Sequence, residues 1–536
     1  MTNKFNRRST LQLLAAGAAS TALPFFGAGR ANAAVTALKQ SIAEQAAKDK
    51  GLAEFYRGRG FEPIFVGRSD GRRRNALLKA FASAQDHGLP EARYGGGELK
   101  ALFKKRLDAR SAGQVEIMAA QRMLQYADDM RSGAINPRKV DSTIVIDVAR
   151  YDRASTLDAF AGSNPSSFLK KLSPRSPEYL RLQKEKIRLE KLIGRGGWGP
   201  KVQAKSLKLG QSDGAVVQLR NRLIAMGYMR RSASKTYDAK LQNGVAQFQV
   251  KHGLNPDGIA GKGTLAEINK QAPDRLAQII VAMERQRWNN RALGKKYVWV
   301  NIPDYHVDIM ENGKSTFRSR VVVGKNTSDR RTPEFSDTME FMVINPSWYV
   351  PRSIVTKEYL PLMQKNPNAQ NQLQIIGSNG KPVSRSAVNF RQYNEKTFPY
   401  SMKQPPSKGN ALGLVKFMFP NKYNIYLHDT PAKKLFGRET RAYSHGCVRV
   451  HKPFEFAYAL LSAQERDPES FFKKMLGTGK ERTVNLAKPL PVHLSYYTAW
   501  VDAKGRANYR RDVYNRDAKI FAALQAAGVS LRAAKG

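Results

Sequence analysis

One cysteine stands in the whole 536-residue sequence, within Ser444-His445-Gly446-Cys447-Val448-Arg449-Val450. Sixteen residues before Ser444 lies His428, in Ile425-Tyr426-Leu427-His428-Asp429-Thr430-Pro431. A free thiol, with a pKa of about 8.5, is mostly protonated at neutral pH; an imidazole beside it takes the proton and holds the thiolate as an ion pair. Cys447 is therefore the candidate nucleophile and His428 its base. Gly446 lets the backbone approach a substrate, and the amides around Cys447 are placed to face a developing oxyanion. Arg449 shares the face of Cys447 on an alternating strand and offers a bidentate grip for a carboxylate. Ser444 reads as a loop hydrogen bond, whereas His445 either positions the loop or assists the chemistry.

A second chemistry competes for the same residues. His428, His445, Cys447 and His451 include the usual zinc ligand types, but a zinc-bound His428 would leave no free base. The thiol reading calls for no metal and no cofactor. His87, His252, His306 and His493 have no motif around them and read as surface or packing residues.

For the thiol and imidazole to meet, an apolar strand must end at His428 and a loop must return Cys447 to the start of a neighbouring strand. The periodicity agrees. After a helix over Asp274 to Trp288 the apolar spacing shortens to two: Val298, Val300 and Ile302 alternate with Trp299 and Asn301. Asn312-Gly313 between apolar runs is a hairpin signal, because both central residues of the tight turn need positive φ. Further strands are expected over 341–344, 424–427 and 493–501. A helical, Pro-rich insertion over about 351–406 is a candidate lid. Upstream, 34–200 reads as helical, most clearly at Gln114–Ser132 and Leu182–Ile193, and stops at the glycine-rich linker Gly194-Arg195-Gly196-Gly197. A small three-helix unit fills 205–272, and 516–536 forms a C-terminal helix or tail. The fold class is multidomain α+β: a helical N-terminal scaffold, the three-helix module, and a mainly-β domain over 294–515.

Composition sets the compartment and the partner. With 90 Lys and Arg against 44 Asp and Glu the chain carries +46 and attracts anions. Residues 1–33 read as an export signal: Lys4, Arg7 and Arg8, an apolar run from Leu11 to Ala28, then Ala31-Asn32-Ala33. The Arg7-Arg8 pair gives it a twin-arginine character. Removing it takes away four cations and leaves +42, so the basic surface belongs to the working protein. Export argues against nucleic acid as the partner. A lone cysteine forms no internal disulfide, so the Cys447 thiol is free.

Two stretches resemble known families. Val245-Ala246-Gln247-Phe248-Gln249 and Asp257-Gly258-Ile259-Ala260-Gly261-Lys262-Gly263-Thr264 resemble the peptidoglycan-binding type 1 domain. Lys295 to Asp512 resembles the L,D-transpeptidase catalytic domain of the YkuD type, with its motif matched at His428, Ser444, His445, Gly446, Cys447 and Arg449. With a helical region ahead, the order resembles the large scaffold-containing subfamily. The resemblance implies a periplasmic enzyme on peptidoglycan stem peptides and glycan. Cys447 would attack the third-residue carbonyl of a tetrapeptide stem, release D-Ala, and pass the acyl group to a diaminopimelate amine. It also implies that carbapenems acylate Cys447. D-amino acid exchange, attachment of a protein to the wall, and a wall-binding structural protein with an inactive domain remain open alternatives.

Overall fold

The computed structural model describes residues 36–533; the expected export signal at 1–33 lies outside them. Among the described residues no helix is long and apolar enough to cross a membrane.

The helical part is organised on Ala109–Ser132. Asp108 caps its start by accepting from the Ser111 amide at 2.8 Å, satisfying one donor that the first turn leaves orphaned. Its buried side chains include Val115, Ala119, Met123, Tyr126 and Met130, a helical spacing that lines one face. Gly133 ends it at φ +89°, where a Cβ would come within 2.5 Å of Glu284 and Trp288 of the helix Ala272–Trp288. The same apolar core takes in the hairpin Ala499–Val501 with Ala507–Tyr509 and the C-terminal helix Arg516–Ala526, through Ile520 and Leu524. The first and last described segments thus build one helical body.

The small module keeps its own core, with Val216, Leu219 and Leu223 facing Leu241, Val245 and Phe248. Its two motifs meet at Gln249: the side-chain amide donates to Asp257 at 2.8 Å and to Thr264 at 3.0 Å, and its carbonyl accepts from the Gly258 amide at 2.9 Å.

Among the described residues the mainly-β part is built on a nine-stranded sheet. In order it runs 442–444, 314–324, 448–450, 427–428, 415–418, 335–344, 482–495, 296–301 and 306–311, and the last strand pairs back on 314–324. Eight strands therefore close into a ring that leaves few free edges, with 442–444 attached outside. The Asn312-Gly313 turn adopts positive φ at both residues, 49° and 77°. Two expected strands differ. The run read as 424–427 is ordered as a strand only at Leu427–His428, because Asn424 turns to φ 52°. The run 493–501 divides into Arg482–Ser495 in the ring and Ala499–Val501 on the helical body.

The insertion carries a sheet of its own, in the order 348–349, 401–404, 374–376, 382–383, beside the helical turns over 352–365. Leu360, Met363, Ile375, Phe390 and Phe398 give it a separate core.

Candidate active site

Strand pairing decides what faces what. Leu427–His428 lies parallel to Val448–Val450, with Leu427 opposite Val448 and His428 opposite Arg449. The Val448 amide donates to the Tyr426 carbonyl at 3.0 Å, so Tyr426 stands beside Cys447 one step earlier. Side chains opposite one another in parallel strands share a face, and so do residues two apart. Tyr426, His428, Cys447 and Arg449 thus occupy one face of two neighbouring strands, with the Tyr426 and His428 rings 5.7 Å apart.

His428 is buried, and its Nδ1 donates to the Asp429 carbonyl at 2.5 Å. That bond fixes the tautomer with the lone pair on Nε2. Burial first, then the Arg449 cation, pull the imidazole down to about 3, against the carbonyls of Asp429 and Leu412. The Cys447 thiol donates to the Asn424 carbonyl at 3.5 Å. Tyr426 stands beside the sulfur on the neighbouring strand. Burial pushes the thiol up to about 11, against the influence of Tyr426 and the Arg449 charge. Among the described residues no hydrogen bond joins Cys447 to His428. The ion pair expected from the sequence thus lacks its hydrogen bond in this structure, and burial favours the neutral form of both groups.

The loop before the thiol is held from outside. Gly446 adopts φ +117°, a left-handed region that favours glycine, and a Cβ there would sit 3.1 Å from Ile425. Its carbonyl accepts from the Thr332 hydroxyl at 2.7 Å. The Cys447 N–H of the same trans peptide therefore points the opposite way, and it meets no acceptor among the described residues. Ser444 is buried, with its carbonyl accepting from the Lys325 amide at 2.7 Å. Arg449 keeps a buried Nε without a partner, and burial lowers the basicity of its guanidinium.

Residues 295–478 match the sequence profile of the L,D-transpeptidase catalytic domain, 50–185 that of a scaffold domain, and 212–268 that of a putative peptidoglycan-binding domain. The chain carries an L,D-transpeptidase catalytic domain. A putative L,D-transpeptidase of Haemophilus influenzae is 34% identical over 225 residues, which are 42% of this chain and 45% of that protein. The match thus spans less than half the length of that relative. Solved L,D-transpeptidase structures from Xylanimonas cellulosilytica and Stackebrandtia nassauensis are 14% and 16% identical. They cover 55% of this chain and 98% and 96% of theirs, at TM-scores of 0.17 and 0.22 that carry no structural argument.

In the L,D-transpeptidase domain the insertion reaches the loop directly. Glu358, in the π-helical turn Val355–Tyr359, accepts from His445 Nε2 at 2.9 and 3.2 Å and from Arg330 Nη2 at 2.7 Å. His445 is exposed and bonded to the insertion. His451 packs on Phe436, ring centroids 4.8 Å apart. The zinc set weighed from the sequence is not assembled, and among the described residues no three His, Cys, Asp or Glu side chains are grouped to hold a metal.

Tyr426, Thr332 and Glu358 escaped the sequence reading. Tyr426 was accessible to it, since a residue two before His428 on a strand shares its face. Glu358 was not, being 87 residues from its partner.

Proposed function

We propose that the chain is a periplasmic peptidoglycan L,D-transpeptidase working through Cys447 and His428. The observation that supports this most is the strand pairing that puts Tyr426, His428, Cys447 and Arg449 on one face. The thiol turns from the Asn424 carbonyl toward Nε2 of His428, and its sulfur attacks the third-residue carbonyl of a tetrapeptide stem. His428 takes the proton as the C–S bond forms, acting as a general base on a neutral thiol. The Cys447 amide donates to the oxyanion; one such donor is worth roughly 2.7–4 kcal/mol in other enzymes. Collapse breaks the C–N bond to D-Ala, whose amine leaves with the proton from His428. A diaminopimelate amine then attacks the thioester, yields its proton to His428, and expels the sulfur as thiolate, which Tyr426 steadies until it is reprotonated. The product joins two third-position residues. Carbapenems acylate the same sulfur, the ring C–N bond opening as the C–S bond forms.

Arg449 supplies positive charge to the thiolate and to a stem carboxylate. Glu358 clamps the lid to the His445 loop and keeps water from the thioester. The module at 212–268 and the basic surface hold the enzyme on an anionic wall, and the N-terminal signal delivers it there by the twin-arginine route.

Incubation with a disaccharide tetrapeptide tests the reaction. Free D-Ala together with a cross-linked dimer is expected; a chain that releases no D-Ala and forms no dimer contradicts the assignment.

A further inference from the structure

Between the helical body and the ring, beside the strands Lys296–Asn301 and His306–Glu311, lies a cleft of about 790 Å³. Ligand sites commonly span roughly 300–1,000 Å³, and none of the residues around Cys447 lines this one. Four aromatic side chains line it, Tyr151, Tyr297, Trp299 and the mostly buried Tyr497. Trp299 stacks on Tyr497 with centroids 5.8 Å apart and planes at 25°, and Tyr497 is tied from behind through its backbone to Asn301 at 2.8 and 3.0 Å. Tyr151 is 41% exposed, its ring braced by the Arg131 guanidinium at 4.6 Å. The exposed cations Lys171 and Arg175 and the half-buried Gln286 line the same cleft. The nearby carboxylates of Glu178 and Asp147 are engaged by Arg181 and Arg291. Lys171 and Arg175 are thereby left without an acidic partner among the described residues.

Rigid aromatic faces suit the apolar faces of sugar rings, a carboxamide suits acetamido and hydroxyl groups, and unpaired cations suit carboxylates. We propose that this cleft binds a stretch of N-acetylated, carboxylate-bearing glycan strand, holding the polymer while one of its stems enters the Cys447 centre. The inference rests on the reading that the chain acts on peptidoglycan and adds to it a glycan site separate from the reaction centre.

Titration of the full chain with short glycan strands stripped of their peptides tests the cleft, because the exposed lactyl carboxylates remain while the stem is gone. Tyr151→Ala and Arg175→Glu alter exposed side chains, and their thermal midpoints report folding. Each is expected to weaken strand binding roughly tenfold. Binding within twofold of wild type in both variants overturns the site. A charge-matched single-stranded oligonucleotide serves as a control. If Arg175→Glu weakens strand and oligonucleotide alike while Tyr151→Ala affects neither, the attraction is to any polyanion and the glycan assignment is overturned. D-Ala release by the wild-type chain from a soluble disaccharide tetrapeptide is scored apart; its absence sinks the transpeptidase reading and leaves the titration to judge the cleft.

Discussion

The L,D-transpeptidase domain treats its charges differently at its two ends. Where it meets the helical body, Arg285, Arg516, Glu334 and Asp517 are buried and mutually paired: Glu334 accepts from Arg285 at 2.5 Å and from Arg516 at 3.1 Å, and Asp517 accepts from Arg285 at 3.2 Å. Around Cys447, by contrast, Arg449 has no carboxylate partner, the Cys447 amide has no acceptor and the thiol makes one long bond to a carbonyl among the described residues. The joint matches its cations to carboxylates, with the Arg516 Nε left over, whereas the proposed reaction centre leaves a cation and a backbone amide free for a substrate. A satisfied buried network rigidifies, while unsatisfied donors store interactions for a transition state.

The contrast can be broken at either end. Glu334→Ala leaves the buried Arg516 guanidinium without a carboxylate and Arg285 with Asp517 alone, and is expected to cost about 3–5 kcal/mol of stability, read as a lower midpoint in urea unfolding. A small shift there would mean that the joint is not the brace described. His428→Ala leaves the fold intact and is expected to slow acylation by roughly a hundredfold to ten-thousandfold, measured with a carbapenem in stopped flow; an unchanged rate would shift the base to His445. Glu358→Gln loosens the clamp between lid and loop. Half-exposed ion pairs are worth about 1 kcal/mol or less, so kcat/KM is expected to fall about threefold to fivefold, chiefly through KM. The smallest effect is a pH profile. Because burial raises the thiol to about 11, alkylation of the free enzyme by iodoacetamide should keep rising with pH beyond about 8.5, where an ordinary thiol levels off. A plateau near neutrality would restore the ion pair.

Much of this arrangement is legible in the sequence, and what is not has physical causes. The spacing of His428 and Cys447 and the turn at Asn312-Gly313 are local signals, and the helical body shows in the periodicity of Ala109–Ser132. The insertion's strands are two to four residues long, too short for alternation to register. The strand at His428 is two residues long, and its apparent extension to Asn424 fails because that residue turns to aim its carbonyl at the thiol. The burial that favours neutral forms of His428 and Cys447 is a property of packing that residue spacing does not encode. Nor does spacing show that the C-terminal helix closes the N-terminal core.

The account stands on the Cys447 sulfur becoming covalently acylated. Intact-protein mass spectrometry of wild type and Cys447→Ala, each mixed with a disaccharide tetrapeptide, measures this directly. Wild type should gain the mass of the substrate less D-Ala, mapped to Cys447 by fragmentation, and the variant should gain nothing. An adduct carried by another residue, or D-Ala released undiminished by the variant, would contradict it.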